Sequence, residues 1–425
     1  MNIKDIYSKF LDCNSITTDT RKIEQGNLFF ALTGEKFNAN TFAKQALEKG
    51  AKYVIIDDKN YFIDNRTILV DDTLKTLQEL ANYHRRQLKL KIISLTGSNG
   101  KTTTKELIHA VLSKKYQTKA TIGNLNNHIG VPLTLLSFTK ETEVGVVEMG
   151  ANHQKEIEFL CNIAEPDFGY ITNFGKAHLE GFGGIEGVIK GKSELYNYLH
   201  ENEKIAFVNL DDELQSSKTE KITRYTFSQN YNSDIKIKSI EANPMVNIEY
   251  DSINIHSNLI GIYNANNINA AITIGNYFSI DNLLIKEAIE SYIPTNNRSQ
   301  LIKKNDNEII LDAYNANPSS MSAAITNFLQ LDKEDKILIL GDMFELGNES
   351  ESEHKKIIES LIGKELKCYF IGNDFYKNKI GDSNFDFFDN YENFSKSFER
   401  TLFQNHLILI KGSRGMALER VLELL

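Results

Sequence analysis

The stretch Thr96-Gly97-Ser98-Asn99-Gly100-Lys101-Thr102-Thr103-Thr104 carries the clearest chemistry in the chain. Its glycines let backbone N–H groups turn toward phosphate oxygens, and the start of a following helix adds positive potential. Lys101 supplies a cation, and Thr102 a hydroxyl within reach of a magnesium ion. Gly97, Ser98, Asn99, Gly100, Lys101, Thr102 and Thr103 therefore read as a phosphate cradle. The general pattern wants glycine at position 95, where Leu95 stands, so this is a shorter variant. The bland alternative is an ordinary strand-to-helix turn.

Two further segments place candidate metal ligands. Glu148 follows the apolar run Val144-Gly145-Val146-Val147. An acid at the carboxyl end of a strand faces the ligand crevice of a nucleotide-binding sheet and can hold magnesium across the phosphates. Taken alone, it reads equally well as a capping or solvated glutamate. In Ile171-Thr172-Asn173-Phe174-Gly175-Lys176-Ala177-His178-Leu179-Glu180 a polar loop carries His178. His178 could ligate a second magnesium, but magnesium prefers oxygen, so an isolated histidine is usually structural or a hydrogen-bond partner.

These residues need a scaffold, and the apolar patterning supplies one. Lys91–Leu95 reads as a buried strand, followed by a helix whose Leu107, Ile108, Val111 and Leu112 share one face. Strands at 144–147, 168–171 and 205–208 alternate with helices, which predicts a parallel sheet with right-handed crossovers. The same alternation recurs at 308–311, 337–340, 368–371 and 407–410, predicting a second doubly wound domain. Before the central sheet, runs at 28–32 and 53–56 flank a helix over 41–49. Residues 235–255 alternate as a β-hairpin attached to the central sheet. The expected class is α/β with three domains, divided at 1–84, 85–295 and 296–425, in line with about 150 residues per domain.

Composition bounds the function. The 425 residues carry 48 Lys+Arg against 57 Asp+Glu, a net charge of −9, which argues against a general nucleic-acid or anionic-membrane binder. Cys13, Cys161 and Cys368 lie far apart, suggesting neither a disulfide framework nor a zinc site. No run reaches the roughly 18 apolar residues of a membrane span, and the amino terminus lacks a basic-then-apolar leader. A cytoplasmic protein is expected.

The phosphate loop, the strand-end glutamate and the A-H-L-E histidine, in this order, resemble the Mur ligase family, the ATP-dependent amide-forming enzymes of bacterial wall synthesis. The likeness covers essentially the whole chain, and the family's phosphate loop has the shortened form seen here. It implies a small UDP-binding domain, a central P-loop ATPase domain and a C-terminal Rossmann-like domain. It also implies that Lys101, Thr102, Glu148 and His178 organise ATP and two magnesium ions. Gly191-Lys192-Ser193-Glu194 resembles a stretch whose lysine is carbamylated in many relatives, converting a cation into a magnesium ligand; that points to Lys192, with Lys190 close by.

The resemblance continues through Gly261-Ile262-Tyr263-Asn264-Ala265-Asn266-Asn267, where Tyr263 replaces a usual histidine and Asn267 would contact adenine. Arg298, in Asn297-Arg298-Ser299-Gln300, would bind the phosphate tail as the last domain closes. Asp312, in Leu311-Asp312-Ala313-Tyr314-Asn315-Ala316-Asn317-Pro318, would face the nucleotide, while Asn315 and Asn317 would shape the acceptor site. Arg414, in Lys411-Gly412-Ser413-Arg414, would clamp a carboxylate of the incoming dipeptide. Thr20 and Arg21 would meet uridine diphosphate, although Asn38-Ala39-Asn40 departs from the family's D-G-H. Asn126 and Asn127 would touch the UDP-linked substrate; turn chemistry is the alternative for all these asparagines.

What the resemblance implies is ATP-dependent addition of D-alanyl-D-alanine to UDP-N-acetylmuramoyl-tripeptide through an acyl phosphate, by a monomer using ATP and Mg2+, with no nucleic acid and no membrane insertion. Family-like addition of the third amino acid is the near alternative. A nucleotide-dependent switch is the distant one, and no N-K-x-D guanine-reading segment supports it.

Overall fold

The computed structural model describes residues 2–295, 297–399 and 403–425. It has three α/β domains, and the expected start of the third, at Asn296, lies outside the described residues. The first domain is built on parallel strands Ser15–Thr17, Asn27–Phe30, Tyr53–Ile56 and Thr67–Leu69, in that spatial order. Their near-continuous apolar runs suit a sheet covered on both faces. Phe29 and Val54 pack with Ala43 and Ala46 of helix Ala43–Glu48, whereas Leu28, Phe30 and Ile55 join Leu77 and Leu80 of helix Thr73–Gln87 in a separate cluster. That second helix starts where Asp72 accepts from Lys75 N. It runs through the expected division at residue 84 and also packs on helices Gly130–Leu136 and Glu156–Ala164 of the central domain.

The central sheet has nine strands. Strand Lys91–Thr96 lies between Val144–Glu148 and Phe168–Ile171, parallel to both. Ile205–Asn209 and Thr223–Ser228 continue beyond Phe168–Ile171, and Thr118–Ala120 forms the edge beyond Val144–Glu148. The chain enters the sheet at Lys91–Thr96 and later strands add on either side, so the order reverses there. Carboxyl ends of strands open into a crevice at such a switch point. The hairpin expected over 235–255 is instead a three-stranded antiparallel extension, Ile235–Ala242, Met245–Tyr250 and Ile253–Ile260. Its first strand pairs parallel with Thr223–Ser228, so the alternating pattern marked the first turn but not the third strand.

The last domain sets Leu407–Lys411 between Asn307–Asp312 and Lys336–Gly341, all parallel, with Lys367–Ile371 and Phe385–Phe388 beyond. Strand Gln300–Lys304 pairs antiparallel at the edge. Gln300–Lys304 and Phe385–Phe388 were not expected; both are edge strands that mix apolar with polar or charged residues, which blunts the signal of a buried run. Phe370 is fully buried in this domain, its ring 4.8 Å from Phe387 and 5.0 Å from Phe375. Phe370→Ala should lower the stability of the C-terminal domain by about 3–5 kcal/mol in denaturant unfolding; a change below about 1 kcal/mol would contradict this packing.

Candidate active site

The cradle is pressed against its neighbours. Gly97 has φ +141°, and a Cβ there would lie 1.9 Å from Thr172 Oγ1; Gly100 has φ +77°, and a Cβ would lie 2.5 Å from Asn267 Oδ1. Only glycine allows this approach. Ser98 N donates to Asn173 O at 3.1 Å and Asn99 N to Asn173 Oδ1 at 3.1 Å. Ser98 Oγ donates to Gly175 O and Thr172 Oγ1 to Asn99 O, both at 2.6 Å. Helix Lys101–Leu112 begins here, and Gly100 offers it no side-chain cap. The N–H groups of its first turn, from Lys101 to Thr103, therefore lack intrahelical acceptors and can take anionic oxygens.

Charged groups converge on that turn. Lys101 Nζ donates to Gly97 O at 2.8 Å and Ser98 O at 3.3 Å. Burial pulls its ammonium below the usual lysine range, with Glu148 opposing the shift and Arg298 reinforcing it. Glu148 is 2% exposed; its Oε2 accepts from Thr102 Oγ1 at 2.9 Å and its Oε1 from Asn126 Nδ2 at 2.8 Å. Arg298 stacks 3.6 Å from the centroid of Tyr314, and its buried Nε has no hydrogen-bond partner among the described residues. A buried guanidinium N–H left unsatisfied is poised for an anion.

A cavity of about 1300 Å³ opens between the central and C-terminal domains. Its wall brings together Ser98 to Thr103, Asn126, Asn127, Glu148, His178, Asn267, Arg298, Asp312, Asn315 and Asn317. Gly97 lies behind the wall. Asn267 Oδ1 accepts from Thr104 Oγ1 at 3.0 Å, bracing the cradle. Asp312 is held by Ser299 N at 3.1 Å and by Lys411 Nζ at 2.5 Å. Asn127 Oδ1 accepts from Gly130 N at 2.9 Å, and Asn317 Oδ1 caps helix Pro318–Gln330, so both side-chain oxygens serve local turns. Asn317 Nδ2 also donates to Asn99 Oδ1 at 2.7 Å across the domain boundary.

Besides Gly97, four expected site residues are not on this wall. Arg21 pairs with Asp19 and its side chain is 86% exposed, while Thr20 offers its carbonyl to Lys49 Nζ. Arg414 pairs with Glu419 at 2.8 Å on the surface. Lys192 lies behind the wall, fully buried, its Nζ donating to Ala151 O at 3.1 Å and standing 5.0 Å from the Phe182 ring. Burial and then Lys101's charge push its amine well below the usual lysine range. Neighbouring Lys190 is exposed, which separates the two lysines of this helix.

Some wall residues escaped the sequence reading as individual contributors: Lys411, Tyr314 and Glu345. Lys411 ends a strand immediately before Gly412, the same position that drew attention to Glu148. Glu345 approaches His178 from another domain, a meeting that no local pattern encodes.

The donor chemistry fits magnesium. Among the described residues no cluster of three or more His, Cys, Asp or Glu side chains forms a protein-only cage. Magnesium at phosphate sites takes few protein ligands, and Thr102 beside Glu148 offers oxygens next to the uncapped first turn of the helix.

Known proteins resemble this chain along nearly its whole length. Family models match three regions: "Mur ligase family, catalytic domain" over residues 12–85, "Mur ligase middle domain" over 95–275, and "Mur ligase, glutamate ligase domain" over 297–414. The UDP-N-acetylmuramoyl-tripeptide–D-alanyl-D-alanine ligase of Bacillus subtilis (strain 168) is 35% identical, over 96% of this chain and 92% of its own. A crystal structure of MurF from Acinetobacter baumannii superposes with TM-score 0.88 at 30% identity, covering 99% of this chain and 97% of that one. The MurF ligase of Thermotoga maritima, solved in complex with ADP, superposes with TM-score 0.85 at 26% identity, covering 98% and 97%.

Two substitutions test the site. Lys101→Ala should lower turnover by about 10²–10³-fold, the scale of losing one preorganised charge-stabilising donor, while its unfolding curve matches the parent's; parental turnover would remove the cradle from the chemistry. Arg298→Ala should weaken binding of a non-hydrolysable ATP analogue by about tenfold or more in calorimetry, since a hydrogen bond to a charged group contributes about 1.5–3 kcal/mol; unchanged affinity would contradict an anion-binding role.

Proposed function

The chain belongs to the Mur ligase family, and from that premise we propose that it joins D-alanyl-D-alanine to UDP-N-acetylmuramoyl-tripeptide with ATP, in peptidoglycan precursor synthesis. The observation that carries this reading is the shared wall. A phosphate-binding turn on the central domain faces an unsatisfied arginine on the C-terminal domain across one cavity.

A carboxylate is a poor electrophile for an amine, so activation comes first. A carboxylate oxygen of the tripeptide attacks the terminal phosphorus of ATP, the bond to ADP breaks, and an acyl phosphate forms. The amine of the dipeptide then attacks the acyl carbon, inorganic phosphate leaves and the amine gives up a proton. Phosphoryl transfer asks for alignment and charge neutralisation more than for a protein nucleophile. Lys101, the first-turn N–H groups and Arg298 meet the phosphate oxygens. Asn267 and Asp312 flank the nucleoside. Asn126, Asn127, Thr20 and Arg21 serve the UDP-linked substrate, and Asn315, Asn317 and Arg414 the dipeptide. Closure of two domains over the cavity keeps water from the acyl phosphate.

Thr102, Glu148, His178 and a carbamylated Lys192 would hold Mg2+, which when bound would neutralise charge on the phosphate oxygens. The burial of Lys192 supports the modification. A neutral amine is the form that adds carbon dioxide, and a fully buried ammonium with no directly paired carboxylate is costly to keep charged. No helix among the described residues is long and apolar enough to cross a membrane. We place the enzyme in the cytoplasm as a monomer, with no nucleic-acid partner.

Purified protein with ATP and magnesium should release phosphate only when both UDP-N-acetylmuramoyl-tripeptide and D-alanyl-D-alanine are present. Equal release without the dipeptide, or a free diamino acid serving in its place with UDP-N-acetylmuramoyl-dipeptide as the acceptor, would contradict the assignment.

A further inference from the structure

Two loops from different domains meet beside the cavity, and both are strained where they touch. His178, after strand Phe168–Ile171, has φ +54°, and Glu345, after strand Lys336–Gly341, has φ +62°. Non-glycine residues seldom adopt this left-handed backbone, and it persists where surrounding contacts enforce it. The Glu345 carboxylate lies against His178 Nδ1, and Glu180 N donates to Glu345 O at 3.2 Å. The glutamate stands on a fixed base. Phe344 N donates to Ser413 Oγ at 2.8 Å and Met343 N to His354 Nε2 at 3.0 Å. Just before them, Asp342 accepts from the backbone of Asp374 and Phe375 at 3.0 and 2.9 Å.

A metal-ligating histidine almost always donates its other ring N–H to a carboxylate, a backbone carbonyl or water, and that bond fixes the tautomer and the ring orientation. In this protein the carboxylate and the histidine belong to different domains. We propose that Glu345 is a positioning residue for His178: the C-terminal domain delivers the carboxylate that orients the ring, so the cation site served by His178 is completed only when that domain is docked. The inference rests on reading His178 as a metal ligand. It makes cation binding and domain docking reciprocal, each strengthening the other by the same factor. Separate contacts hold the docked domain, including Lys176 Nζ to Glu353 Oε1 at 2.7 Å and Lys176 N to Ser319 Oγ at 2.8 Å.

The test is Mn2+ binding, followed by electron paramagnetic resonance on the full chain with a non-hydrolysable ATP analogue, alongside an interdomain distance from paired spin or fluorescent labels. Glu345→Ala should weaken Mn2+ binding by about 10–100-fold, the usual loss for removing such an outer partner. The interdomain distance should stay as in the parent. Glu345→Gln, whose amide oxygen still accepts, should retain most of the affinity. Unchanged Mn2+ binding in Glu345→Ala overturns the proposal, as does a loss that comes only with opened domains; Glu353→Gln, which loosens docking without touching His178, should weaken the ion too, and parental Mn2+ binding with its domains open would also overturn it. His178→Ala separates the layers. If it leaves Mn2+ binding intact, the ligand assignment itself fails; if it loses the ion while Glu345→Ala does not, only the positioning role fails.

Discussion

Everything in this molecule is arranged around a helix that begins without a cap. The first N–H groups of Lys101–Leu112 have no backbone acceptor, and Gly100 provides no side chain to satisfy them. Some other helices are capped, for example by Asp72, Asp212 and Asn317, while others, such as Ile185–Glu201, also begin without a side-chain cap. At Gly100 the donors stay available, and the sheet presents them at the switch point where its strand order reverses. The loop that feeds the helix is tied down by Thr172, Asn173 and Gly175, so the donors are oriented before any ligand arrives. Such preorganisation is what makes a donor effective in stabilising charge that develops during phosphoryl transfer.

The same loop after Phe168–Ile171 performs a second task, because the C-terminal domain docks on it. Residues that brace the cradle from behind are followed within a few positions by Lys176, His178 and Glu180, which meet Ser319, Glu353 and Glu345. One segment therefore links the geometry of the phosphate turn to the position of the domain carrying Arg298. The −9 net charge leaves room for an anionic ligand, since Lys101 and Arg298 face the cavity, although Glu148, Asp312 and Glu345 line it as well.

Much of this was legible in the chain, and the limits have physical causes. The cradle, Glu148 and the central strands could be read because buried parallel strands are continuous apolar runs and glycine punctuates them. Three-residue strands such as Ser15–Thr17 carry too little pattern, and Gln300–Lys304 mixes lysine with apolar residues at an exposed edge. The status of Lys192 was open in the sequence, where a helical lysine reads as solvated; its complete burial depends on helix Ile185–Glu201 packing against helix Glu156–Ala164. The pairings of Asp312 with Lys411 and His178 with Glu345 join residues 99 and 167 positions apart. Arg21 and Arg414 were singled out by motif resemblance, and each pairs with a nearby acid at the surface, away from the cavity wall.

The central claim is that this uncapped turn receives the nucleotide's phosphates. A crystal structure of the full chain with a non-hydrolysable ATP analogue tests it most directly. The account requires the β- and γ-phosphate oxygens within hydrogen-bond distance of the N–H groups from Gly100 to Thr103, with the Arg298 guanidinium on the terminal phosphate. An analogue bound elsewhere, with that turn left facing solvent, would contradict it.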